Sequence, residues 1–109
     1  KERIVNMNET DTSLIFRTFR NTARVLTNDV ALKVAEVEAQ GGDFSQVHGL
    51  VSGQKQDETW KSGDIDGGMI TVGMCGGLIN DIPTCKELVS TIVSDAEEII
   101  NKRLSAMTA

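Results

Sequence analysis

The residues of this chain with the most chemical potential run from Gly63 to Thr84: Gly63-Asp64-Ile65-Asp66-Gly67-Gly68-Met69-Ile70-Thr71-Val72-Gly73-Met74-Cys75-Gly76-Gly77-Leu78-Ile79, followed by Asn80-Asp81-Ile82-Pro83-Thr84. Glycines crowd the stretch, with two acids at its head and apolar side chains between. That composition suits neither a flexible linker nor a plain core element and reads as a shaped surface. Glycines ahead of a helix let backbone N–H groups reach an anion. The same glycines let a helix approach another backbone closely. Neither GxGxxG behind a strand nor GxxxxGK[ST] is present, so no dinucleotide or P-loop signature accompanies them, and packing and ligand contact both stay open. Asp64 and Asp66 suggest calcium at first sight. An EF-hand loop begun there needs an oxygen ligand, a glycine and a glutamate where the chain has Gly68, Met69 and Cys75, so no metal is expected and Asp64 is read as capping a turn.

The other reactive groups are scattered. His48 is the sole histidine, and no serine or cysteine nucleophile stands in a recognisable triad context with it. Cys75 and Cys85 match no zinc spacing and are read as reduced thiols; a helix start near Cys85 would lower its pKa without making it catalytic. Glu36/Glu38 and Glu97-Glu98 fall on solvated helix faces. Met7, Met69, Met74 and Met107 are read as core fillers, and Trp60 as either a buried anchor or an interface residue. No catalytic residue is assigned.

The elements that must hold these residues follow from pattern. Residues 1–12 read as polar and irregular, ending in a turn-forming cluster. Ser13–Phe19 and Thr22–Leu26 are rich in branched and aromatic residues and read as strands of a short hairpin, although Arg20-Asn21 lacks the glycine of a strong two-residue turn. Val30, Val34 and Val37 with Ala31 and Ala35 mark a helix, capped by Thr27 or Asn28 and closed at Gly41-Gly42. Phe44, Val47 and Leu50 or Val51 predict a short helix ended by Gly53, and residues 54–62 a polar loop around Trp60. Thr84-Cys85-Lys86-Glu87 is a capping box behind Pro83. It opens a helix with Leu88, Ile92, Ala96 and Ile99 along one stripe, widened by Val89, Val93 and Ile100, and with Glu98 and Lys102 paired on the exposed side.

At 109 residues the chain accommodates one domain, 1–109, and falls well short of a complete (β/α)8 barrel of roughly 250 residues. Sixteen acids against eleven bases give a formal charge of -5, which leaves no basic stripe for nucleic acid. No apolar run approaches the roughly 20 residues of a membrane span, and no leader pattern opens the chain, so a soluble, cytoplasmic protein is expected. It starts at Lys1 without an initiator methionine, as expected of a processed product, a trimmed chain or a domain cut from something larger.

Three blocks taken together, Asp11 to Arg24, Gly63 to Asp81 with Pro83-Thr84, and the closing helix, resemble the C-terminal part of the nitronate monooxygenases, also called 2-nitropropane dioxygenases. A related pattern occurs in the FMN-dependent enoyl-acyl carrier protein reductases. The chain departs from both families in carrying Met74 where they commonly have glutamine. The resemblance implies a mainly helical α+β cap segment of a (β/α)8-barrel flavoenzyme, with a hairpin near its start and a final helix returned to the barrel wall. It implies substrate-pocket residues at Met69, Ile70 and Thr71, and a backbone path shaped by Gly63, Asp64, Gly68, Gly73 and Gly77. The family's FMN site and catalytic histidine belong to the barrel, which is absent from this chain, and His48 does not match that histidine. By implication the full enzyme oxidises alkyl nitronates with molecular oxygen, while this chain alone binds no FMN and is inactive. Its partner would be the barrel or, without one, a second copy of itself. The alternatives are a free-standing helical oligomerisation or ligand-binding module derived from such an enzyme, and a flavin reductase of lipid synthesis.

Overall fold

A computed structural model describes residues 1–108. Its elements run in the order α1 (Glu2–Val5), β1 (Thr12–Ile15), β2 (Ala23–Leu26), α2 (Asp29–Ala39), α3 (Ser45–Val51), α4 (Gly53–Ser62), a 3-10 turn (Met74–Leu78) and α5 (Cys85–Glu98). Helix α5 continues through a π-helical stretch (Ile99–Leu104) into α6 (Ser105–Met107). The fold is therefore mainly helical α+β with one antiparallel hairpin.

The hairpin pairs Thr12 with Leu26, Ser13 with Val25, Leu14 with Arg24 and Ile15 with Ala23. Alternation along each strand puts Ile15 and Val25 on the same face, where both are fully buried. They meet Val30, Ala31 and Val34 of α2, Val47 of α3 and Phe16 to form the core. The strands are shorter than the sequence suggested, and residues 16–22 join them as a seven-residue loop in place of a tight turn at Arg20-Asn21. Phe16 and Arg20 take left-handed φ values of 62° and 57°. That conformation costs a side-chain-bearing residue about 1–2 kcal/mol, and at Phe16, Glu38 of α2 offsets it. Its carboxylate accepts hydrogen bonds from Phe16 N (2.7 Å), Thr18 N (2.8 Å) and Thr18 Oγ1 (2.8 Å).

Two further expectations are corrected. Residues 54–62 are helix α4, not a loop, and Gly53 begins that helix instead of ending α3, whose last turn stops at the extended Ser52. Helix α4 has no apolar stripe for periodicity to find. It is held by its ends and by side-chain pairs: Ser52 accepts from Lys55 N, Gly63 closes it at φ 74°, and Lys61–Asp57 and Lys55–Glu58 lie along its exposed face. Trp60 lies on it, 69% exposed. The N-terminal stretch read as irregular contains the single turn α1.

Helix α2 forms as expected, with Asn28 capping its start and Gly41 at φ 73° beyond its end. The capping box at Thr84 and Glu87 is complete, and Lys102 Nζ donates to Glu98 at 2.9 Å. No residue of α5, the π-helical stretch or α6 is buried. Its apolar stripe, from Leu88 through Val89, Ile92, Val93, Ile99 and Ile100 to Leu104, stands 48–60% exposed. The radius of gyration is 18.2 Å, against about 13 Å for a compact chain of 100 residues. Exposed surface totals 7905 Å², where a compact monomer of this mass would show about 5,900 Å². The excess, about 2,000 Å², is the scale of a permanent interface. Among the described residues no helix is long and apolar enough to cross a membrane.

Candidate functional site

The glycine segment hangs on the free edge of the hairpin. It leaves α4 through Gly63, whose left-handed φ of 74° turns the chain away from the helix. Asp64 closes the next turn, its Oδ1 accepting from Asp66 N at 3.1 Å while its carbonyl accepts from Gly67 N at 3.2 Å. Gly68 is buried against Thr59 of α4, where an added Cβ would lie 3.1 Å from the threonine Cβ. Beyond it the chain runs antiparallel to β2: Leu26 N donates to the Ile70 carbonyl at 2.8 Å, Thr71 bridges Val25, and Val72 N donates to the Arg24 carbonyl at 3.4 Å. Residues 70–72 thus make a short third row on the hairpin.

Of the three residues assigned to a substrate pocket, Met69 packs partly against the core, Ile70 is half-buried and Thr71 is exposed. Gly73 is extended at φ −83° and leads into the 3-10 turn. Gly76 is buried there beside the Met7 side chain. A Cβ on Gly77 would lie 2.8 Å from Glu9 N and 3.1 Å from the Asn8 carbonyl carbon, so two backbones touch at that point. Met74 and Leu78 face outward, 54% and 83% exposed. An open apolar trough of about 420 Å³ lies where this turn meets α1 and the start of α5, lined by Ile4, Val5, Leu78, Ile82 and Leu88 among others.

The remaining candidates do not converge on this surface. His48 sits exposed on α3 with its ring edge-on to Phe44, centroids 5.9 Å apart. Phe44 in turn meets Phe16 and Phe19. Cys75 and Cys85 are free, exposed thiols. Among the described residues, no group of three or more His, Cys, Asp or Glu is placed to hold a metal ion.

Clear electrostatic shifts also lie elsewhere. Partial burial would raise the Glu38 pKa, but the hydrogen bonds from Thr18, Phe16 and Arg17 outweigh it and hold the group below its ordinary value. The Thr84 hydroxyl and then its backbone N–H lower Glu87. The glycine segment offers a flavin few polar side chains. No cationic side chain occurs between Lys61 and Lys86 to meet a phosphate, and among the described residues no buried side-chain nitrogen or oxygen lacks a partner. The segment can supply one largely apolar wall to a site, and its one thiol, Cys75, has no histidine, cation or second cysteine placed with it as a site.

Asn28 is the residue whose role here went unseen in the sequence, where it figured only as a helix cap. Its amide nitrogen donates to the carbonyls of Ile65 (2.7 Å) and Gly68 (2.9 Å), tying the head of the glycine segment to the start of α2.

No protein-family model matches the chain. Among solved structures it is similar to FabK from Thermotoga maritima, with a TM-score of 0.80 and 27% identity, covering 97% of this chain and 33% of that chain. A point mutant of the same protein gives a TM-score of 0.72 and 25% identity, over 97% of this chain and 30% of that chain. The chain therefore spans about a third of the FabK chains it matches.

Proposed function

We propose that this chain is the C-terminal cap and closing helix of an FMN-dependent oxidoreductase built on a (β/α)8 barrel. The observation that carries the reading is its likeness to FabK, an FMN-dependent enoyl-acyl carrier protein reductase, along 97% of its own length but only a third of FabK's. The exposed stripe of α5 and the surplus apolar surface support it, because such a face needs a partner surface. The barrel wall would cover the stripe and hold FMN. Catalytic groups would also belong to the barrel, in keeping with a glycine segment in which no residue is assigned a catalytic role.

Two chemistries share this class. The three sequence blocks support oxidation of alkyl nitronates with molecular oxygen, and we take this as the first reading. The likeness to FabK is the specific observation that favours the second, reduction of an enoyl thioester. In either case residues 69–71 would wall the substrate pocket beside the flavin. Thr71, exposed and pinned to β2, would make the contact, while Met69 anchors the wall to the core. A cytoplasmic location is part of the same reading.

The full-length enzyme, purified with its flavin, provides the test. Oxygen consumption on an alkyl nitronate supports the first reading; oxidation of a nicotinamide cofactor dependent on an enoyl thioester supports the second. If the natural reading frame instead starts at this chain, and sedimentation shows a stable folded oligomer, the enzyme reading fails. A free-standing module that covers α5 with a second copy would then replace it.

A further inference from the structure

Asn28 is 6% exposed, and its side chain uses both amide donors and its oxygen in two directions at once. Its Oδ1 accepts from Ala31 N at 2.9 Å, which is the N-cap of α2. Its two N–H groups go to the carbonyls of Ile65 and Gly68, 37 and 40 residues along the chain. The amide can face only one way, because the oxygen must meet a donor and the NH₂ two acceptors. Among the described residues, these are the only hydrogen bonds between residues 65–69 and the body formed by the hairpin and α2; the bonds to β2 begin only at Ile70, beyond the turn. Immediately after Gly68 come Met69, Ile70 and Thr71.

We infer that Asn28 is a positioning residue, which fixes the Met69–Thr71 wall by clamping the turn in front of it. The inference rests on the reading that this wall lines the substrate pocket. Capping alone would be served equally by Asp or Ser. Neither supplies two donors, and a carboxylate in that place would set a charged oxygen against two carbonyl oxygens. Asparagine is the residue of that size that can cap the helix and hold both carbonyls.

The test uses the full-length enzyme with Asn28→Asp, which keeps a good cap, and Asn28→Ser as a second, uncharged capping variant should the first fail to fold. Expected are unchanged flavin content, normal amide-exchange protection along 29–39, faster exchange in 65–72, and a roughly five- to hundredfold rise in KM with kcat nearly kept, the scale of the two net hydrogen bonds lost. Unchanged exchange in 65–72 would overturn the clamp. Equal loss of protection in 29–39 would reduce Asn28 to a helix cap. Faster exchange in 65–72 with KM unmoved would leave the clamp standing but sink the pocket reading, and with it the positioning role.

Discussion

Gly77→Ala is the substitution on which the packing of the glycine segment turns. A Cβ there would sit 2.8 Å from Glu9 N, 3.1 Å from the Asn8 carbonyl carbon and 3.3 Å from Asn8 Cα. All three contacts are main-chain atoms, so no side chain can swing aside. The opposing turn is itself held: Asn8 N donates to Asp11 Oδ2 at 3.1 Å, Asp11 N to the Asn8 carbonyl at 3.1 Å, and Thr10 N to Asn8 Oδ1 at 2.9 Å. The 3-10 turn must therefore back away from residues 8–9, at a cost of about 1–3 kcal/mol. With a urea slope of about 2 kcal/mol/M, the unfolding midpoint falls by roughly 0.5–1.5 M. Circular dichroism at equilibrium in urea measures it, with two other glycines as controls. Gly49 lies inside α3 with nothing within 4 Å of an added Cβ, so Gly49→Ala should stabilise by about 0.4–1 kcal/mol. Gly63 has equal space but φ 74°, so Gly63→Ala should destabilise by about 1 kcal/mol despite meeting no atom. A midpoint for Gly77→Ala equal to the parent's, or shifted like Gly49→Ala, would refute the close backbone approach.

Three other outcomes follow from the same geometry. Because the folded-state pKa of Glu38 is depressed, its hold on residues 16–18 is fully present above the free glutamate range and is lost as pH falls through the lower folded value. The amide resonances of Phe16 and Thr18 should titrate together with a midpoint below that of a free glutamate, and a midpoint at or above it would contradict the lock. Thr84→Ala removes the hydroxyl half of the capping box, which accepts from Glu87 N, and leaves the Glu87 carboxylate on the backbone N–H of residue 84; it should cost about 1 kcal/mol, seen as faster amide exchange confined to the first turn of α5, and uniform loss along 85–107 would mean the box does more than cap. Replacing Ile92 and Ile99 by serine should lower self-association and dye binding of the 109-residue chain while weakening assembly of a full-length enzyme, and equal sedimentation of parent and variant would show that the stripe drives neither.

The parts legible in sequence are those made by residues three or four apart. The capping box at Thr84 and Glu87, the Glu98–Lys102 pair, the Asn28 cap and the apolar face of α2 depend only on the period of a helix and on groups within one turn. Helix α4 was within reach by the same logic, since Ser52, Gly63 and the Lys61–Asp57 pair are local signals. Apolar periodicity has nothing to detect there, because apart from Trp60 its residues are small or polar on every face. Burial decided the rest. The seven-residue loop of the hairpin depends on Glu38, twenty or more residues away, which holds Phe16 and Thr18. Residues 70–72 become a third row only because β2 has a free edge, and Gly77 needs its hydrogen only because Asn8 and Glu9 arrive beside it. Asn28 joins both kinds of information. Its cap reaches three residues and is written in the sequence, whereas its clamp reaches forty and exists only once the chain has folded back, because a hydrogen bond between distant residues leaves no period behind it.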